Sequence, residues 1–384
     1  MTETLSGEPV VLGVVGGGQL GRMLAEAASP LGVEVVVLDP TPDCPASAVA
    51  DQIEGAFDDA DAVAALAARA DALTYEIELA APGALREAAA DAGVEVHPRP
   101  ATLELIEDKL RQKRAFADAG IPVPEFRGVD TEAELEAALD DLGRPAMLKA
   151  RTGGYDGRGN TPVSGPDDAA PVGVGGTMVE EFVDFARELS VIGVKGDGET
   201  AAFPVVENVH EAEILRETIA PARTSDGVRE RALDVVDEVL DVMEGRGVYG
   251  IELFETRDGE ILVNEVAPRP HNSGHYTIEG ALTSQFEQHV RAVLGWPLGA
   301  TDLRDATAMA NVLGDVEESR PAELSGVGRA LAAPGVSMHW YGKREVRPLR
   351  KMGHVTGVAR EGEAPADVLD RVRELRDGLT FNHD

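Results

Sequence analysis

The segment that most constrains this chain is Gly16-Gly-Gly-Gln-Leu-Gly21, set directly after the apolar run at 10–15. A buried strand that turns through Gly-x-Gly-x-x-Gly into a helix to about residue 28 implies a parallel α/β sheet. Only glycine lets strand, turn and helix N-terminus approach so closely. The alternation continues with a strand at 33–38 ending in Asp39, a helix at 61–70, a strand at 72–75, a helix at 83–91 and a strand at 94–97. The acid after the second strand completes a dinucleotide fingerprint, in which it would take a ribose hydroxyl. The same turn suits a single phosphate on the helix N-terminus. An NAD-linked oxidoreductase and a phosphate-binding domain are equally well served by this part of the chain.

The rest reads differently. A helical pattern at 101–119 stops at Gly120 and Pro122-Val-Pro124, a boundary signal. A helix at 131–141 and strands at 146–150, 177–183, 188–195 and 200–206 suggest an antiparallel element. A helix at 227–244 precedes a hairpin of strands 248–255 and 260–266, and a helix at 278–294 follows. Strands near 307–313 and 336–341 leave a small β-rich end. The formal charge of −34 and pI near 4.5 repel nucleic acid and anionic membranes, so neither is an expected partner. Such a surface suits high salt, although an acidic protein of ordinary surroundings fits as well. A phosphorylated substrate would need local cations. The single cysteine, Cys44, allows no intrachain disulfide. No leader pattern and no long apolar run are seen, and a cytoplasmic enzyme is expected.

Four clusters carry chemistry. Arg151-Thr-Gly-Gly-Tyr155-Asp156-Gly-Arg158-Gly-Asn160 follows a strand ending near Lys149. Its glycines expose N–H donors suited to phosphate, yet no Gly-Lys-Ser/Thr follows, so this is not a Walker A loop. Glu180-Glu181-Phe182-Val183 ends a strand with carboxylates and carbonyls beside an apolar run, as an adenine hinge requires. Glu252 and the pair Asn264-Glu265 fall on neighbouring strands and offer only oxygens, which suits magnesium bridging ATP phosphates. Ala267-Pro-Arg269-Pro-His271-Asn272-Ser273-Gly-His275 packs polar groups into a loop that costs solvation unless it meets a ligand. Finally, Lys343, Arg344, Arg347, Arg350 and Lys351 put five cations in nine residues of a chain with only six lysines.

Together with Thr74-Tyr-Glu-Ile-Glu78 and Thr283-Ser-Gln-Phe-Glu-Gln-His289, these motifs resemble the N5-carboxyaminoimidazole ribonucleotide synthases, ATP-grasp ligases of purine biosynthesis, over nearly the whole length. The resemblance implies an α/β and α+β architecture: an N-terminal α/β substrate-binding domain at 1–105, an ATP-grasp domain at 106–300 and a C-terminal β-rich domain at 301–384. It implies that ATP and bicarbonate form carboxyphosphate, at whose expense the amine of aminoimidazole ribonucleotide is carboxylated. Lys109, Lys149, Gly154, Tyr155, Asp156, Gly157, Arg158, Gly159, Asn160, Glu180–Val183, Glu188, His210, Asn264 and Glu265 would line the nucleotide. Glu252 and Glu265 would hold magnesium, or manganese in its place. Gln19, Leu20, Glu76, Arg269, His271, Asn272, Ser273, Lys343 and Arg350 would face the substrate. Tyr155, Asp156, Arg158 and Lys343 would be catalytic, and a homodimer is expected. Three positions depart from the family: Leu79 stands for the usual Asn, Leu349 for Gly, and Asn160 for Gln.

Overall fold

The computed structural model describes residues 8–153 and 159–382. At the N-terminus, five parallel strands run in the order Asp51–Glu54, Val33–Asp39, Val10–Val15, Ala72–Tyr75, Glu95–Val96. The sequence pattern missed the first of these, whose charged ends hide its short apolar content. Chain order reverses on either side of Val10–Val15, and at such a switch point the carboxyl ends of neighbouring strands open a crevice. Register pairs Val15 with both Leu38 and Tyr75, so Gly16, Asp39 and Glu76 emerge together at that edge.

The expected helix at 101–119 is two helices, Pro100–Glu107 and Lys109–Asp118. Asp108 leaves helical geometry (φ −104°, ψ 102°), and its carboxylate accepts from the N–H groups of Leu110 and Arg111, capping the second helix. A four-stranded antiparallel sheet follows, in the order Phe126–Val129, Thr177–Glu181, Ala146–Ala150, Asn160–Val163. The helix Glu132–Leu142 starts on a Thr131–Glu134 capping box and buries Leu135, Ala138 and Leu139 in that sheet's core.

The larger sheet is antiparallel throughout, and its nine strands run across the presumed boundary at 300. Its path is Ile261–Ala267, Gly247–Thr256, Phe185–Lys195, Val206–Glu211, Ile214–Ala220, Thr307–Leu313, Lys351–Val358, Val336–Trp340, with Thr200–Ala202 on the edge of Phe185–Lys195. The C-terminal strands therefore extend the central sheet, joined where Ile214–Ala220 pairs with Thr307–Leu313. The expected strand at 200–206 proves to be a three-residue edge piece followed by the Val206–Glu211/Ile214–Ala220 hairpin. The helix expected at 278–294 is the turn Thr277–Gly280 and the helix Gln285–Val293, the latter capped by Ser284. Helix Asp226–Val242 covers one face with Val228, Ala232, Val235, Val236, Val239 and Leu240. Among the described residues, no helix is long and apolar enough to cross a membrane.

Candidate active site

The N-terminal crevice answers the dinucleotide question. Asp39 is buried, and its carboxylate accepts from Gly17 N–H at 2.9 Å and Thr41 N–H at 2.8 Å. Glu76 accepts from Gly18 N–H at 2.7 Å. The acid that would take a ribose hydroxyl is thus turned inward, and two loop donors that would meet a pyrophosphate are already bonded to carboxylates. Burial raises Glu76 to about 7, opposed by the Gly18 hydrogen bond and by Arg269. Leu20 packs in the core, so of the expected substrate pair only Gln19 presents a side chain: its Oε1 accepts from Lys343 Nζ at 2.7 Å.

The second half of the site lies between the two antiparallel sheets. Strand pairing sets Glu252 opposite Glu265, with Asn264 beside them. Lys109 Nζ lies 2.9 Å from Glu265, and Lys149 Nζ lies 2.5 Å from Glu180 and 3.2 Å from Asn264 Oδ1. Partial desolvation would raise Glu265, whose side chain is 48% exposed, but Lys109 and Lys149 hold it below the usual carboxylate range. Glu252 goes the other way, raised by burial and by the repulsion of Glu265 and Glu188. Two oxygen-bearing acids on adjacent strands, with opposed tendencies to ionise, fit a hard divalent ion that completes its shell with phosphate oxygens. His210 Nδ1 lies 3.0 Å from Glu188, on the same sheet.

Across from these acids, His271 approaches Glu252 at 3.4 Å through Nε2, while Ser273 Oγ holds its Nδ1 at 2.9 Å. Burial, Arg269 and Lys351 lower His271 to about 3, so the ring is neutral. Gly250 makes room for it: a Cβ there would lie 2.3 Å from that of His271. Gln285 clasps the loop, accepting from His271 N–H and donating to its carbonyl. Arg269 then reaches Glu78 of the N-terminal unit at 2.7 Å.

Several expected residues play other parts. Glu180 is 2% exposed and turns its carboxylate to Lys113 and Lys149, so the hinge keeps only its backbone groups. Glu181 accepts from Glu125 N–H, while Phe182 is exposed and Val183 half-buried. Ser273 is fully buried and orients His271 instead of facing a ligand. Asn272 is also buried, with neither amide atom hydrogen-bonded to protein. Lys343 also donates to the Lys351 carbonyl at 2.6 Å and lies 5.4 Å from the Tyr341 ring centre; Arg350 donates to the Glu345 carbonyl in the same loop. Gly159 accepts from Ala150 N–H, and Asn160 pairs across the strands with Lys149. Gly154, Tyr155, Asp156, Gly157 and Arg158 lie outside the described residues. Lys113 carried no sequence signal, being a lysine on a charged helix, while Glu78 lay in the Thr74–Glu78 motif without a role assigned to it.

This geometry, with Lys149 on one antiparallel sheet, Lys109 on the helix beside it and paired acids facing them from the other sheet, is that of an ATP-grasp enzyme. Residues 114–286 match the ATP-grasp domain family, residues 10–107 the ribonucleotide synthetase preATP-grasp domain, and residues 307–367 the phosphoribosylaminoimidazole carboxylase C-terminal domain. The chain is 42% identical over 358 residues to the N5-carboxyaminoimidazole ribonucleotide synthase of Brucella melitensis, covering 90% of this chain and 96% of that one. The crystal structure of the Thermotoga maritima synthetase superposes with a TM-score of 0.87 at 40% identity, over 97% of this chain and 99% of that one. The Aspergillus clavatus enzyme in complex with ADP and 5-aminoimidazole ribonucleotide gives 0.88 at 35% identity, over 96% and 99%. The chain belongs to the N5-carboxyaminoimidazole ribonucleotide synthase family.

Proposed function

We propose that this enzyme carboxylates the exocyclic amine of 5-aminoimidazole ribonucleotide at the expense of ATP, with bicarbonate as the carbon source and carboxyphosphate as the activated intermediate. The observation that carries the reading is the run Glu252–His271–Arg269–Glu78, which joins the acid-bearing strand to the carboxyl edge of the N-terminal sheet. Nucleotide and acceptor halves of one reaction have to meet in this way. Magnesium, held by Glu252 and Glu265, would neutralise charge on the transferring phosphoryl group. Lys109 and Lys149 hold the phosphates, and the backbone of Glu180–Val183 takes the adenine. Glu188 and His210 face the ribose. Glu76, Gln19, Arg269 and His271 receive the acceptor, with Lys343 and Arg350 on its 5′-phosphate. Tyr155, Asp156 and Arg158 would face the ribonucleotide and carboxyphosphate as catalytic residues, where water must be excluded because carboxyphosphate hydrolyses readily. We assign the units as 1–105, 106–300 and 301–384, and the working form as a cytoplasmic homodimer.

Phosphate release from ATP, measured with and without 5-aminoimidazole ribonucleotide and bicarbonate, tests the reading. Release should need bicarbonate and rise when the ribonucleotide is added, with a carbamate product formed in equal amount. Release indifferent to both would overturn it.

A further inference from the structure

Helix Lys109–Asp118 buries one of the chain's six lysines, Lys113, to 1% exposure. An apolar side chain would pack there without the several kcal/mol that desolvating an ammonium costs. Its Nζ donates to the Val263 carbonyl at 2.8 Å and lies 3.1 Å from Glu180 Oε1. Val263 belongs to the nine-stranded sheet and Glu180 to the four-stranded one, so this ammonium spans the two walls of the nucleotide cleft. The other oxygen of Glu180 meets Lys149 at 2.5 Å. We propose that Lys113 is a positioning residue for the nucleotide, sharing Glu180 from inside the fold so that Lys149 keeps a net positive charge for the ATP phosphates.

The argument is electrostatic. Glu180 and Lys149 alone would form a neutral pair, and the carboxylate would cancel much of the attraction Lys149 offers an anion. Two ammoniums on one carboxylate leave a surplus of one positive charge, and it faces the cleft because Lys113 is sealed behind. The carboxylate gains from both partners: burial would raise Glu180, yet Lys113 and Lys149 bring it to about 2. Lys113 shares its partner, so burial prevails, with Lys149 and Lys109 adding repulsion, and it falls to about 8. The groups around it are Glu180, Lys149, Lys109 of its own helix and the Val263 carbonyl; helix Asp226–Val242 contributes apolar residues such as Val235 and Val236. As pH rises through about 8, Lys113 loses its proton and the triad becomes neutral.

The proposal rests on Lys149 meeting the ATP phosphates, so its test reads nucleotide binding directly. The dissociation constant of Mg·ATP is measured calorimetrically from about pH 7.5 to about pH 9.5, where the γ-phosphate is already ionised. In the wild type it should rise about tenfold across this range. Lys113→Arg, whose guanidinium keeps its proton, should flatten that rise; Lys113→Met should bind about tenfold more weakly at pH 7.5 and show no alkaline limb. Affinity for 5-aminoimidazole ribonucleotide should stay unchanged in both. An alkaline limb that persists in Lys113→Arg overturns the proposal, as does wild-type affinity in a folded Lys113→Met. A wild type that fails to bind Mg·ATP at any pH would overturn the proposed function instead.

Discussion

At the scale of single residues, Leu349 shows a departure that the fold absorbs. It occupies the place of a family glycine and adopts φ 60°, the left-handed region that L side chains avoid. The turn persists because Leu349 N–H bonds to the Gly314 carbonyl and Gly314 N–H to the Arg350 carbonyl, closing both ends. Strain at such a position costs about 1–2 kcal/mol, of which glycine would return part as unfolded-state entropy. Leu349 is 41% exposed, so little burial is lost with its side chain. Leu349→Gly should therefore raise unfolding stability by about 0.5–1 kcal/mol in urea titrations and leave the KM for the ribonucleotide unchanged. A loss of stability would show that the leucine is not strained. The same scale explains what the sequence could and could not tell about the site. Glu252, Glu265 and Lys149 stood out because each is an ionisable group on an apolar strand, where alternation fixes which face it takes. Lys113 did not stand out, since a lysine on a charged helix reads as solvated until packing shows which face is covered.

At the scale of elements, four buried histidines bind the units together. His97 accepts from Arg246 N–H at 3.1 Å, and His289 accepts from Val248 N–H while meeting Thr74 Oγ1 at 2.8 Å. Both clip the N-terminal sheet to the Gly247–Thr256 strand. His275 and His354 pack 4.9 Å apart, and Tyr341 meets His354 Nδ1 at 2.9 Å. Burial lowers His97 to about 4 and His289 to about 3, with His275 and His354 far below the usual range. The unfolded chain takes up these protons below about pH 6.5 and the folded chain does not, so stability falls as pH drops through that value. Each group contributes up to about 1.4 kcal/mol per pH unit. Glu76, raised to about 7, opposes them, since its folded form keeps a proton that the unfolded carboxyl releases. With His271 the lowered histidines number five. They outweigh Glu76, Glu252 and His210, whose raised values act the other way, so the protein is acid-labile. The urea midpoint should drop between about pH 6.5 and 5.5, before most carboxylates titrate. A midpoint flat over that interval would contradict the assignment of neutral, buried rings. The parallel sheet was legible from its alternation of apolar runs and helical stretches. The Val206–Glu211/Ile214–Ala220 hairpin was not, because residues such as Asn208, His210 and Glu217 break its apolar pattern, and Asn208 and Glu217 are buried with hydrogen-bond partners that include residues distant in sequence. Asn208 bonds Ser190 and Thr218, and Glu217 bonds Arg373 and Arg376 from the C-terminal helix Pro365–Asp377.

At the scale of the whole molecule, a charge of −34 surrounds a cleft built to hold anions. The two coexist because the cleft cations are set into the interior: Lys109 side chains are 14% exposed and those of Lys149 11%, while the acidic excess is spread over the surface. Many surface ion pairs, such as Arg257–Asp184 and Arg329–Glu374, are largely solvent-exposed and contribute little. Sixty-nine acids against thirty-five lysines and arginines leave an excess of thirty-four carboxylates that repel one another. Compactness brings them closer than in the unfolded chain, so self-repulsion acts against the folded state. The Debye length shrinks from about 10 Å at 0.1 M salt to about 3 Å at 1 M. The thermal midpoint should accordingly rise by several degrees with added KCl, most of it below about 0.5 M, where screening saturates. A gain growing evenly to high salt would point to surface exclusion of the salt, not to charge screening. A midpoint that falls with KCl would mean that the ion pairs outweigh the net repulsion.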